Sequence, residues 1–188
     1  MKKFLTVLLI NIAFVCSVFA QVDVGIPQGK VQVIDDFENG NYWIWAGSDW
    51  DRYGGHKASW GCHLSQKHVT QGHYSMELLL EPAAIGTNAV WFYDGSQDLS
   101  GGKFIVMDIY NGTSVKCKVS IVIQATDNWN WLETPEYEIT PGKHRVVFDT
   151  SAINSDFNDV KRINVNATLL GNTKEDSSLF IDNILLIK

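Results

Sequence analysis

Between Lys116 and Ala125 the chain alternates strictly between apolar and mixed positions, and this constrains the fold more than any other feature. Cys117, Val119, Ile121, Ile123 and Ala125 fall on one side of an extended segment. Lys118, Ser120, Val122 and Gln124 fall on the other. Side chains on a strand point to opposite faces in turn, so the first set belongs to a core and the second faces water. Arg162 to Ala167 repeats the pattern, with Ile163, Val165 and Ala167 inward and Asn164 and Asn166 outward. A sheet that is apolar on one face needs a second layer to cover it.

Further short runs rich in β-branched and aromatic residues lie at Val31 to Glu38, Tyr74 to Glu81, Ala89 to Tyr93, Lys103 to Tyr110, Lys143 to Asp149 and Ser178 to Ile187. Gly, Asn, Asp or Pro bounds each of them, and Asn111-Gly112 and Pro141-Gly142 are strong turn signals. No segment carries a helical apolar period over three turns. Only Ser151 to Asn158 has the content for a single helical turn. The pattern predicts an all-β chain of two facing sheets, a β-sandwich.

The first twenty residues stand apart. Lys2 and Lys3 precede an apolar run from Phe4 to Phe14, and Val18-Phe19-Ala20 offers a cleavage site before Gln21. This is the layout of a secretory signal. A transmembrane anchor is the competing reading, but the run is shorter than the about 20 residues that span a bilayer, and no stop-transfer charges follow. The division expected is residues 1–20 as signal, 21–30 as a short leader and 31–188 as one domain, in an exported protein that is secreted, periplasmic or at the cell surface. The formal charge of −6 disfavours nucleic acid and anionic membrane as partners. Cys62 and Cys117 remain after the signal. Export permits a disulfide between them, and two buried thiols are the alternative.

Seven tryptophans are the unusual feature of the composition. Several sit among polar residues, most densely in Asn41-Tyr42-Trp43-Ile44-Trp45-Ala46-Gly47 and Asp127-Asn128-Trp129-Asn130-Trp131. An indole flanked by asparagines has one side wet. A sugar ring stacks its C–H face on such an indole, while neighbouring amides and acids bind its hydroxyls. On a strand, residues two apart share a face, so Trp129 and Trp131 are expected together, as are Trp43 and Trp45. Trp129 and Trp131 are the leading ligand-binding candidates, with Trp45 and Trp91 as neighbours. Gln124, Asn128 and Glu133 are the candidate hydrogen-bonding partners.

The stretch Asp127 to Glu136, followed by Pro141-Gly142-Lys143 and Val146-Val147-Phe148-Asp149, resembles the jelly-roll carbohydrate-binding modules of bacterial mannanases and glucanases. Val33 to Gly40 looks like their opening strand and Leu179 to Leu186 like their closing one. Asp98-Leu99-Ser100-Gly101 before Phe104 to Tyr110 fits as well. Tyr53 to Gln71, with Cys62 and three histidines, has no counterpart in the resemblance. The resemblance implies a galactose-binding-like jelly roll that binds a β-mannan or β-glucan without cleaving it. It also implies a structural calcium where the first and last strands meet, with Asp36, Glu38 and Asp182 as ligands. A separate glycoside hydrolase or a cell-surface complex would be a partner beyond the polysaccharide itself.

Two other functions compete. Ile34 to Glu38, followed by tryptophan-rich sequence, also resembles spirochaete flagellar sheath proteins, where exposed aromatics would make protein contacts. A small lyase or hydrolase needs paired carboxyls, and Glu133, Glu136 and Glu138 lack the regular spacing of the β-sandwich glucanases. His56, His63, His68, His73 and His144 fit no metal spacing, and no nucleophile elbow, phosphate loop or dinucleotide fingerprint occurs. No catalytic residues are therefore assigned.

Overall fold

Alternation along the strands builds two antiparallel sheets that face each other across one apolar core. The computed structural model describes residues 21–22, 25–39, 43–46, 62–80, 87–173 and 177–188. The strands in chain order are β1 (Gln21–Val22), β2 (Val31–Asp35), β3 (Trp43–Ala46), β4 (Cys62–Ser65), β5 (Ser75–Leu80), β6 (Thr87–Gln97) and β7 (Phe104–Asn111). They continue with β8 (Cys117–Ala125), β9 (Asn130–Glu133), β10 (Tyr137–Ile139), β11 (Gly142–Asp149), β12 (Val160–Leu169) and β13 (Ser177–Ile187). The first sheet runs β1-β11-β7-β13-β5-β4, with β2 also on β13. The second runs β10-β8-β12-β6-β3, with β9 also on β8.

The inward sets of the alternating segments behave as expected. Cys117, Val119, Ile121, Ile123 and Ala125 join Ile163, Val165 and Ala167 in the core, where they meet Met107, Ile109, Phe148 and Leu186 of the other sheet. The anticipated helical turn is a 3-10 segment at Asn154–Asp159, and it buries only Phe157. Among the described residues no helix is long and apolar enough to cross a membrane. Residues 1–20 lie outside the described set.

The segment expected as a leader holds one short strand. Gln21 and Val22 pair with Val147 and Val146 and extend the first sheet by one short strand. Lys30 and Lys188 exchange backbone hydrogen bonds in both directions.

Two strands change partners along one edge. β13 pairs β5 over Ser177–Ile181 and β2 over Ile184–Ile187, with β7 along its other side. The change falls at Asp182 and Asn183, where the register slips and Asn183 adopts φ 53°. β8 pairs β10 over Cys117–Val119 and β9 over Val122–Ala125. Ile121 lies between the two, and Thr134 serves it: its hydroxyl accepts the Ile121 N–H at 3.0 Å and its own N–H donates to the Ile121 carbonyl at 3.0 Å. A buried N–H without such a partner would cost free energy.

Cys62 on β4 and Cys117 on β8 are buried thiols in opposite sheets, and no disulfide joins them. Burial raises both, and pushes Cys117 up to about 12.

Candidate functional site

The outer face of the second sheet carries the side chains that alternation turns away from the core. Registers place Trp131 opposite Gln124 and Gln124 opposite Arg162, which makes one row across β9, β8 and β12. The next rows place Glu133, Val122 and Asn164 together, then Ser120 and Asn166. Val122 is 0% exposed and Asn164 6%, although both belong to the outward set. They form a floor, and taller side chains stand around it.

Trp131 is 60% exposed and Trp129 48%. Each is held by a different device. The Trp131 indole Nε1–H donates to Glu133 Oε2 at 3.1 Å. The other Glu133 oxygen accepts the Ser120 hydroxyl at 3.2 Å, and Ser120 Oγ accepts Asn166 Nδ2 at 3.4 Å. A polar chain thus crosses three strands. The Trp129 ring lies over the Arg162 guanidinium, 4.9 Å from its carbon to the ring centroid. Arg162 in turn donates to Gln124 Oε1 at 2.9 Å.

The route by which the two indoles reach this face differs from the expectation. Trp131 is on a strand, but Trp129 precedes β9 and sits in a turn with φ 56°. Its N–H closes the turn onto the Thr126 carbonyl at 3.1 Å. Asn128 donates through its backbone to Thr126 Oγ1 and lies exposed in the same turn. Asn130 Nδ2 ties the turn to Asp156 Oδ2 at 2.9 Å.

Trp43 is 4% exposed and belongs to the core, where its Nε1 donates to Asp35 Oδ2 at 2.8 Å. Burial raises the Asp35 carboxyl above its ordinary value against the lowering effect of that bond. The backbones of Trp45 and Trp91 pair with Ala89 and with Trp43 and Ile163. Their side chains lie outside the described set. Arg162, Ser120, Asn164 and Asn166 were not among the sequence candidates. For Asn164 and Asn166 the signal was already there, in the outward half of the β12 alternation.

The acids expected to bind calcium make hydrogen bonds to the first sheet and the connections beside it. Asp182 Oδ2 accepts Thr70 N–H at 2.6 Å and Gln71 N–H at 2.9 Å, and Oδ1 accepts Asn183 N–H at 2.7 Å. Glu38 Oε1 accepts His73 N–H at 2.7 Å and Tyr74 N–H at 2.9 Å. Asp36 Oδ1 accepts Glu38 N–H at 3.2 Å. Among the described residues no three His, Cys, Asp or Glu side chains gather as a metal site. These carboxylates accept backbone N–H groups, Glu38 through Oε1 and Asp182 through both oxygens. They strap the β4–β5 connection to the sheet, and Gly72 (φ 74°) lets that strap close on Glu38, where a side chain would collide.

The strap covers a buried charge row. Arg145, Asp108 and Asp182 lie opposite one another on β11, β7 and β13. Arg145 grips Asp108 through two hydrogen bonds of 2.7 and 2.9 Å. Thr70 Oγ1 stands 2.9 Å from both Asp108 Oδ2 and Asp182 Oδ2. Burial works to raise the Asp108 carboxyl, but the bonds from Arg145 and Thr70 outweigh it and leave the group below its ordinary value.

The histidines that can be placed are dispersed. His63 faces Glu77, His68 stacks on Tyr110 and His144 bonds Thr140. His56 lies outside the described residues.

No protein-family model and no curated protein matches the sequence. The fold does match solved structures. A family 28 carbohydrate-binding module specific for non-crystalline cellulose aligns with TM-score 0.61 and 16% identity, over 86% of this chain and 97% of that one. A family 11 carbohydrate-binding module of the cellulosomal cellulase Lic26A-Cel5E of Clostridium thermocellum aligns with TM-score 0.56 and 16% identity, over 86% and 96%. The agarase AgWH50C aligns with TM-score 0.57 and 13% identity, over 86% of this chain but 25% of the agarase. At these identities the likeness establishes the fold, the jelly-roll β-sandwich that the strand pattern and end motifs led one to expect.

Proposed function

We propose that the outer face of the second sheet binds a polysaccharide without cleaving it, with Trp129 and Trp131 as stacking rings. One observation carries the reading: two indoles on one sheet face are each about half exposed, and each is fixed by a polar partner. Exposed tryptophan held in one orientation offers a flat apolar area at low entropic cost. Asn164, Asn166 and Gln124 supply amides beside it, as ring hydroxyls require. The two full-length structural neighbours are themselves carbohydrate-binding modules, one specific for cellulose. That supports a β-glucan or β-mannan as the ligand class.

The state of the three candidate acids supports a non-catalytic role. Lys118 and Lys116 hold Glu136 and Glu138, and Glu133 is engaged by Trp131 and Ser120. A glycosidase needs one carboxyl free to donate a proton and another opposite it. The proposed partners are the polysaccharide and a glycoside hydrolase or cell-surface complex that the module serves, after export through the predicted signal.

Affinity electrophoresis against a panel of soluble β-glucans, β-mannans and agarose derivatives tests the proposal. Retardation in at least one gel, reversed by free oligosaccharide, is expected. No retardation across the panel would move the sheath-like structural reading ahead. Release of reducing ends or unsaturated products would overturn the non-catalytic assignment.

A further inference from the structure

Val160 is fully buried in the core, yet Arg162, two residues on, lies on the outward face beside Gln124. A regular strand would put both side chains on the same face. The reversal has a local cause. Val160 pairs with Ala125 and Arg162 with Gln124, so two residues of β12 advance against one of β8, and Lys161 is the extra residue of a β-bulge. The pairing with β6 slips at the same place. Bulges bend a strand and re-aim a side chain, and they collect next to functional sites.

The two side chains at this bulge converge on one turn. Lys161 Nζ lies 3.3 Å from Asp127 and 2.8 Å from Asp159. Arg162 lies under the Trp129 ring. The Thr126 N–H, which opens that turn, donates to the Asp159 carbonyl at 2.8 Å. Trp129 thus has its backbone fixed in the left-handed region and one ring face closed by a guanidinium, and the other side remains exposed.

We infer that the Lys161 bulge exists to turn Arg162 outward, and that Arg162 is a positioning residue that fixes which indole face of Trp129 is presented to ligand. The inference rests on the glycan-binding reading for its affinity consequence, but not for its structural one. Without the bulge, β12 would carry Arg162 into the core with Val160, Ile163 would turn outward, and Trp129 would lose its support. A guanidinium stacks flat on an indole, which an ammonium cannot do. Lysine should therefore restore the charge but only part of the ring's order.

Fluorine NMR on fluorotryptophan-labelled protein tests this. Trp129→Phe and Trp131→Phe assign the two resonances by their disappearance. In Arg162→Met the Trp129 resonance should shift and broaden, while the Trp131 resonance, fixed through Glu133, stays in place. Arg162→Lys should lie between the wild type and Arg162→Met. Affinity for the best glycan of the panel should fall roughly three- to tenfold in Arg162→Met, with little change in melting temperature. An unmoved Trp129 resonance would overturn the inference, as would equal disturbance of both rings. A melting temperature that falls steeply, with affinity retained in the folded fraction, would make Arg162 a stability residue and overturn it too. If the wild type binds no glycan, the resonances still decide the positioning role, and only the function proposed for the face is lost.

Discussion

Trp131 and Glu133 share the outward face of β9, and the indole N–H of one is bound to the carboxylate of the other at 3.1 Å. The bond crosses one step of the pleat, so it orients the ring without burying it. A ring set in this way loses little freedom when a ligand arrives.

Removing either exposed ring should weaken binding without unfolding the protein. Trp131→Ala and Trp129→Ala should each cost about 1 to 3 kcal/mol of affinity, roughly tenfold to a hundredfold, by isothermal titration with the best glycan. Their melting temperatures should stay near the wild-type value. Trp43→Ala is the contrast. Its ring is in the core, and its loss should cost about 3 to 5 kcal/mol of stability. If Trp131→Ala melts like Trp43→Ala, the ring is structural.

The Arg145–Asp108 pair should show itself through pH. Asp108 titrates below its ordinary value in the folded protein, so its contribution is present above about pH 4 and is lost as pH falls through the folded value. Arg145→Met leaves a buried carboxylate without its main donor. That should cost about 3 kcal/mol at neutral pH, the low end for a broken buried pair because Arg145 is partly exposed. The remaining burial raises Asp108 in the variant, so the difference from wild type should shrink as pH falls towards 4. Urea titrations at several pH values measure it, and a difference that stays constant with pH would remove Asp108 as its source.

In the chain without residues 1–20, Cys62 and Cys117 should resist thiol reagents in the folded state and react fully once it is lost. Titration with a chromogenic disulfide in native buffer should find none, and in denaturant without reductant it should find both. Fewer in denaturant would mean a disulfide or oxidation.

Calcium should leave the melting temperature unchanged, and so should a chelator, because Glu38 and Asp182 already accept backbone N–H groups. A rise with calcium that Asp182→Asn abolishes would place a metal at that junction.

The fold was legible where one face was strongly apolar. β8, β11, β12 and β13 are long; alternation marked β8 and β12, and runs of β-branched and aromatic residues marked β11 and β13, within a residue or two. β4, β9 and β10 are short and polar, and what makes them strands is an edge to pair with rather than their own composition. The site was half legible. The tryptophans and Glu133 announced themselves by their neighbours, but Arg162 reads as an ordinary surface charge until the bulge before it is known. The strap was not legible, because Asp182 and Glu38 look the same in sequence whether or not they hold a loop to the sheet.

β13 pairs with β2, and so joins the two ends of the described domain through Val31 and Ile187. Such a pairing closes a loop of almost the whole chain and forms only after a large entropic cost. β13 is also the centre of its sheet, flanked by β7 on one side and by β5 and β2 on the other. A chain truncated before Ser177 should give a disordered circular dichroism spectrum rather than a weakened sandwich. Without β13, then, the first sheet falls into separate pieces, β1-β11-β7 on one side and β5-β4 on the other, with β2 left unpaired.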